Sequence, residues 1–546
     1  MKRILLAAIA LLLAIIACGP ATTPSPSPPP ATSPATDIPL ANPQFTISVE
    51  YAILGVAQEY AAAGVQYAKL QDVFVIWENI EPETGQYVWG PLDAIVTEYQ
   101  QAGFTGLQMD FAAKSPWAAS VPPALGRAPK DTDTFPKEEY LDDYAAYVSA
   151  VAERYDGDGV DDMPGLLYPI HDYGIEREFT GYWPGTAEEY VRLLRIAYPA
   201  IKDADPEARV LLVALLMADV FDGNPDQAEI ERRLQTDIDY MRKSVPEIRT
   251  ILAACDAYDI VDFHSLANYT EIPLTAQWIR SELQANGCGE KPIWIGDAFP
   301  MSALIGFGGL VPPTPFAPAT LETRDAVVDL LLAMADPASP DHASSQGWLY
   351  AEAAIGLVRK ITVSAAEGLL GINLGNLENW KTGTVAIDKT TVPMLGASMF
   401  MGMTDTVITN NKPGGDLPIN GKHWAKARQA SNPRPAYYAL KLVNEKLAAF
   451  TSVEKLELGI SIWAYRFETP TGPVWVLWYD DGTLYLPGQT PPSITVQLPF
   501  EAASALLTWT STAIGQTAPK TQILEASGGI LSFDLGATPV FIEAAP

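Results

Sequence analysis

The chain has 546 residues, 48% of them hydrophobic, enough for a large core and a second, smaller domain. Its 35 Lys and Arg against 65 Asp and Glu leave a net charge of −30, which argues against nucleic acid and against an anionic lipid surface as partners. Of three cysteines, Cys255 and Cys288 lie deep in the chain with no His or Cys at a metal-ligand spacing, so no metal and no cofactor is expected. In an oxidising compartment they are a disulfide candidate, two separate buried thiols being the alternative.

In chain order, residues 1–18 open with Met-Lys-Arg, continue with an apolar run from Ile4 to Ala17, and end at Cys18. That is the pattern of a secretion signal, too short to span a bilayer comfortably. Ile15-Ile16-Ala17-Cys18 resembles the bacterial lipobox, which implies cleavage before Cys18 and lipidation of its thiol. Residues 19–44 are rich in Pro, Ser, Thr and Ala and read as an extended tether. The expected location is outside the cytoplasm, on the bacterial cell envelope, with a lipid anchor as the sole membrane contact.

Residues 45–450 alternate between two periodicities. Strands are expected at Phe45–Val49, Val65–Leu70, Phe104–Met109, Tyr168–Glu176, Arg209–Leu216, Ile260–His264, Pro292–Ile295 and Leu369–Leu374. Helical spacing falls between them, at Val56–Ala63, Leu92–Ala102, Tyr140–Tyr155, Ala187–Ala204, about 229–244, Thr275–Asn286, Leu349–Ala366 and Arg434–Phe450. Residues 77–89 and 300–343 read as loops. Eight strands alternating with helices predict an α/β fold, a parallel (β/α)8 TIM barrel. A doubly wound open sheet is the alternative, and no Gly-rich phosphate turn follows the first strand. Cys255 and Cys288 precede the sixth and seventh strands, so a bond between them would staple the bottom rim. From residue 451 to 546 the pattern changes to short strand-like runs separated by Gly, Pro and Thr, a small β-sandwich. Its Trp463, Tyr465, Trp475 and Trp478 suit a sandwich core better than a sugar platform.

The chemistry concentrates at Tyr168–Tyr190, YPIHDYGIEREFTGYWPGTAEEY. Glu176, Arg177 and Glu178 fall where the fourth strand ends, followed by Tyr182, Trp183, and a helix start at Thr186. A strand-end carboxylate beside aromatics suits chemistry on sugars, whose ring faces stack on aromatic planes. Trp77, Trp117, Trp183 and Trp380 all fall in loops at the same end of the expected barrel, each as suited to loop packing as to a sugar platform. Glu176 shares a side with Glu178 by strand alternation, and Glu378 follows the eighth strand as a reserve carboxylate. Asp156, Asp158, Asp161 and Asp162 form a calcium-like loop without the distal Glu of an EF-hand, for which a solvated turn is the better reading.

Three phrases resemble the (β/α)8 retaining glycoside hydrolases of the cellulase/β-galactosidase clan, nearest to family 39. They are WENIEPETGQYVWGPLDAIVTEYQQAGF, RYDGDGVDDMPGLLYPIHDYGIEREF and KPIWIGDAF. The resemblance implies hydrolysis of glycosidic bonds in a poly- or oligosaccharide, with Glu178 as acid/base and Asp297 as nucleophile. It also implies substrate-side roles for His264 and Tyr269. A catalytically silent barrel that captures glycans through its aromatics and Arg177 is the rival reading, and a purely structural surface protein the third.

Three positions depart from the clan. Arg177 stands where an Asn is usual, and a guanidinium there is expected either to lower the Glu178 pKa or to bind an anionic sugar group. Asp297 stands where a Glu is usual, and withdraws the carboxylate by one carbon–carbon bond, about 1.5 Å. Lys69 stands where many relatives have Arg.

Overall fold

The computed structural model describes residues 45–120, 135–235, 243–302, 305, 321–375, 377–379, 396–408, 417–419, 423–425 and 428–546. The expectations for residues 1–44, Cys18 among them, and for Trp380 lie outside the described residues. Among the described residues no helix is long and apolar enough to cross a membrane.

Eight parallel strands close into a barrel: β1 Thr46–Ala52, β2 Tyr67–Leu70, β3 Gly106–Phe111, β4 Asp172–Ile175, β5 Arg209–Leu216, β6 Ile260–Ser265, β7 Ile293–Ala298 and β8 Gly371–Leu374. β1 pairs with both β2 and β8, so the sheet has no edge and the open alternative falls away. Every expected barrel strand forms. The helices at Ala187–Ala204 and Leu141–Tyr155 also lie where the apolar spacing puts them. The first is fixed by Thr186, whose hydroxyl accepts from Glu189 N (3.2 Å) while the Glu189 carboxylate accepts from Thr186 N (2.7 Å).

Three local expectations need correction. The stretch 300–343, read as loop, holds a helix at Leu321–Ala335, a Gly- and Pro-free run of good helix formers whose Pro-rich approach hid it. The helix expected at about 229–244 is instead Gln227–Arg233 followed by a separate Val245–Leu252. The second is started by Ser244 and Glu247 in a reciprocal cap, with Pro246 in its first turn, a start signal that outranks apolar spacing. Trp77–Ile80, expected as loop, is one helical turn.

The barrel interior is graded from bottom to top. Tyr67, Leu211, Ile260 and Trp294 form an apolar plug at the strand N-termini. Above it Asn373 bridges Gln108 (2.9 Å) and Trp294 Nε1 (3.0 Å), satisfying the amides within one layer. The top layer is charged. Two glycines make room for it: a Cβ at Gly174 would sit 2.2 Å from Asp110 Oδ1, and one at Gly296 2.0 Å from Asp262 Oδ2.

The C-terminal region is a six-stranded antiparallel sheet faced by a two-stranded one. In its central strands Ile462–Thr469 and Gly472–Tyr479 both faces are buried. Tyr465, Phe467, Val474, Val476 and Trp478 join the barrel core, while Ala464, Trp475 and Leu477 join the sandwich core. Hence the near-continuous apolar run PVWVLWY, which a sheet open to water on one side would not need.

At the bottom rim a disulfide joins Cys255 to Cys288, with Cα atoms 5.7 Å apart and a sequence separation of 33. Closing a loop of that length restricts the unfolded chain by about 3–4 kcal/mol. Replacing both cysteines with serine should lower the chemical-denaturation stability by roughly that amount. Loss below about 1 kcal/mol would show that the closed loop does not restrict the unfolded chain.

Candidate active site

Three strand ends converge at the barrel mouth. Glu178 follows β4, His264 lies near the end of β6, and Asp297 lies near the end of β7. His264 Nδ1 donates to Glu178 Oε1 at 2.5 Å. One ligand-capable atom from each of Glu178, His264 and Asp297 lies within 4.8 Å of the other two. The trio could chelate a cation; the direct hydrogen bond accounts for the approach of His264 and Glu178 without one.

A bulge aims Asp297. Phe263 pairs with Ile295 and His264 with Asp297, so β7 carries one residue more than β6 at that step. Against β8, Ile372 pairs with Ile295 and Leu374 with Ala298, again one extra residue on β7. Trp294 and Gly296 face the interior, and strict alternation would turn Asp297 outward. The extra residue resets the parity and brings Asp297 to the mouth. Gly296 sits at the bulge, where Asp262 fills the space a side chain would take.

Glu178 is positioned differently. Its carbonyl accepts from Tyr182 N (2.7 Å) and Trp183 N (3.1 Å), a tight turn that folds the chain back over the carboxylate. A Cβ at Gly181 would lie 2.3 Å from Glu178 Oε2, so a side chain there would push the carboxylate out of this position. Glu176 just before it has φ +65° and is buried, its carboxylate accepting from Ala113 N at 2.9 Å. Of the two adjacent acids, Glu176 is therefore the structural one.

Beneath the mouth Lys69 Nζ lies 2.9 Å from Asp110 and 3.4 Å from Glu50, and donates to Gly296 O at 3.3 Å. Asp262, fully buried, accepts from Gly296 N at 2.8 Å. Burial pushes the Asp262 carboxyl up to about 7 against the pull of His264 and Lys69. Burial likewise raises Asp297; His264 and Lys69 oppose the rise, and Glu178 adds to it. For His264 burial works against the charged ring, but the Glu178 carboxylate, with Asp262 and Asp297, outweighs it and the pKa is raised.

Several sequence candidates fall elsewhere. Trp77 is fully buried, stacked on Tyr147 with centroids 5.6 Å apart, its indole N–H on Glu81 (2.7 Å). Trp183 is buried against Tyr190, its N–H on Thr186 O (2.8 Å). Neither offers a ring face to a ligand. Tyr269 is buried at the seam with the β-sandwich, its hydroxyl donating to Asp480 (2.6 Å) and its ring edge-on to Trp463 and Trp478. Trp117 is half-buried, held by Glu81 O (3.1 Å) and packed on Trp77. Arg177 pairs with Asp72 at 2.7 Å, and Glu378 with Arg428 at 2.8 Å.

The acidic loop satisfies itself. Asp156 accepts from Asp158 N, Asp158 from Val160 N, and Asp162 from Gly157 N and Gly159 N, as a solvated turn does.

Sequence reading missed Glu50, Asp262, Gly181 and Tyr51. Tyr51 has φ +54° beside the irregular β1–β2 register, and Asp297 is among the charges bearing on it. Buried acids inside an apolar strand, as in TISVEYA and IVDFHS, were the available signal for the first two.

No protein-family model and no curated protein matches the chain. Among solved structures it superposes on a family 39 glycoside hydrolase from the gut symbiont Bacteroides cellulosilyticus WH2, at 14% identity and TM-score 0.52, covering 92% of this chain and 81% of that one. It is similar also to a monomeric β-xylosidase from Caulobacter crescentus CB15, at 11% identity and TM-score 0.51, covering 92% and 97%. At these identities the likeness establishes the fold they share.

The His264–Glu178 contact has a pH signature. Because the folded pKa of His264 is raised, its contribution to stability is full below about 6.5 and is lost as pH rises through the folded value. Urea midpoints measured from pH 5.5 to 9 should show this fall in the wild type and a smaller one in His264→Gln, where buried Asp262 with its raised pKa still contributes. In Gly181→Ala, which displaces Glu178, the His264 ring resonance should titrate lower than in the wild type.

Proposed function

We propose that the protein is a retaining glycoside hydrolase acting on a poly- or oligosaccharide, with Glu178 as acid/base and Asp297 as nucleophile. One observation carries the reading: the two carboxylates approach within 4.8 Å. Retaining enzymes hold theirs about 5–5.5 Å apart, and inverting enzymes need about 6.5–9.5 Å to admit a water.

In the first step Asp297 attacks the anomeric carbon while Glu178 gives its proton to the glycosidic oxygen. The carbon–oxygen bond breaks, the alcohol leaves, and a glycosyl ester forms on Asp297. In the second, Glu178 takes a proton from water, which attacks the same carbon and releases the sugar and the Asp297 carboxylate. The proton shared by Glu178 and His264 is the one the acid step needs. Transfer from His264 to Glu178 leaves a neutral ring and a protonated acid, so His264 positions and charges the acid without touching substrate. Lys69, below the mouth, favours the ionised form of Asp297 and opposes the effect of burial.

The silent glycan-capturing barrel loses support because it depends on aromatic platforms, and Trp77, Trp183 and Tyr269 are packed inside. Arg177 is already engaged by Asp72, which weakens the case for an anionic sugar. Surface attachment through a lipid on Cys18 remains part of the proposal; metabolic palmitate labelling should be lost in Cys18→Ser.

The β-xylosidase among the similar structures makes an aryl β-xyloside the first substrate to try, within a panel of aryl glycosides. Glu178→Gln and Asp297→Asn should each lower turnover by roughly 10²–10⁴-fold, the usual worth of such groups. The product anomer followed by NMR should keep the substrate's configuration. Turnover unchanged in either variant, or an inverted product, would overturn the assignment.

A further inference from the structure

A second polar chamber lies away from the mouth, at the seam between barrel and sandwich. It is a partly open cavity of about 70 Å³ whose walls include Asp222, Ser302, Glu352, Arg359, Lys360 and Asp480. Ser302 belongs to the segment leaving β7, five residues beyond Asp297, and Gly356 on the helix His342–Ala366 packs so closely on Pro300 that a Cβ there would lie 2.5 Å from its carbonyl. The chamber therefore backs onto the chain that carries Asp297.

Three buried side-chain atoms of this wall have no hydrogen-bond partner: Asp222 Oδ2, Ser302 Oγ and Arg359 Nε. Their residues are 1%, 7% and 9% exposed. The rest of the Arg359 guanidinium is occupied, Nη1 by Asp480 (2.8 Å) and Nη2 by Ala537 O (2.7 Å). Lys360 is turned to Ser265 O at 2.7 Å. Left over among the fully buried atoms are a carboxyl oxygen, a hydroxyl and a single N–H donor, with the Glu352 carboxyl beside them, around a space that holds more than one water.

A cation would leave the Arg359 N–H unmet, and an anion, which only accepts, would leave the acceptor side of Asp222 and Ser302 unused. A hydroxyl both accepts and donates, so two neighbouring hydroxyls can meet all three atoms. The space is well below the 150 Å³ cavity that takes benzene, so it admits the edge of a sugar or a small polyol and not a whole pyranose. Burial pushes the Asp222 carboxyl up to about 8, which keeps it neutral and able to donate as well as accept.

The geometry points to a second carbohydrate site: the seam cavity takes the vicinal diol edge of a sugar through Asp222, Ser302 and Arg359. This site stands independently of hydrolysis at the mouth.

The test uses the full chain and D-xylose as probe, following the thermal midpoint from zero to several hundred millimolar. Sugars stabilise any protein by exclusion, a non-saturating effect that a variant shares with the wild type. The wild type should show on top of it a curved rise, steep at low sugar and logarithmic above the dissociation constant. Asp222→Asn and Ser302→Leu should move the onset of that curve by at least about tenfold in concentration, as removal of a hydrogen bond to a charged or buried group does. Glu178→Gln should retain it. A rise linear throughout, the same in all four proteins, means the cavity holds water alone and overturns the proposal. So does a curved rise lost in Glu178→Gln but kept in Asp222→Asn, which puts the sugar in the barrel mouth. Ser302→Leu fills the chamber and Asp222→Asn keeps its shape, so a folding failure in one leaves the other decisive.

Discussion

The structure turns on one buried ammonium. Lys69 is the cation that Glu50 and Asp110 contact directly inside the barrel mouth, and it reaches on to the carbonyl of Gly296. Burial alone would strip its proton, yet the two carboxylates outweigh that and hold it charged. A buried ion pair of this kind is weak evidence for stability, since desolvation consumes most of the attraction. Its worth lies in the field it sets: with His264, it pulls Asp297 and Asp262 toward ionisation against a burial that would neutralise them. Removing Lys69 would leave Glu50, Asp110 and Asp262 crowded without their ammonium, and Asp297 with His264 and the more distant Lys360.

The rest of the fold makes that crowding possible. Gly174 and Gly296 supply the volume for Asp110 and Asp262, and the apolar plug around Trp294 closes the barrel from below. The β-sandwich serves the same end from outside. Its central sheet gives one face to the barrel, where Trp463, Trp478 and Tyr465 stack around Tyr269 and Arg359 lies over the Tyr269 ring. The helix carrying Arg359 also carries Lys360, which reaches the end of β6 one residue past His264. Seam and mouth are thus tied by a single helix.

How much of this was legible in the sequence differs by level. The barrel was, because eight parallel strands buried on both faces leave apolar runs that no loop imitates. Glu178 stood out because charge at a strand end is costly unless a partner meets it there, while His264 and Asp297 came from the resemblance; the structure brings the three within 4.8 Å. The aromatic platforms were not legible. Trp77, Trp183 and Tyr269 carry the same local pattern whether they face a ligand or fill a loop, and only the positions of Tyr147 and Trp478, remote in sequence, and of Tyr190, one helix turn into the next element, decide which. Arg177 failed for the same reason. Its neighbour in sequence is Glu178, but the group that holds it is Asp72, over a hundred residues away.

The shortened acid is the place where sequence and structure meet most usefully. An Asp at position 297 retreats by about 1.5 Å from where a Glu would reach, and on a regular strand it would also point away from the barrel axis. A bulge corrects the facing, because the extra residue in β7 sets Asp297 opposite His264, where strict register would put Gly296. Such a bulge needs a residue with no side chain where Asp262 already stands, and Gly296 is that residue. Asp297 and Gly296 therefore act as a pair, the acid turned to the mouth by the bulge and the glycine leaving room beside Asp262. The 4.8 Å approach to Glu178 follows from the pair together.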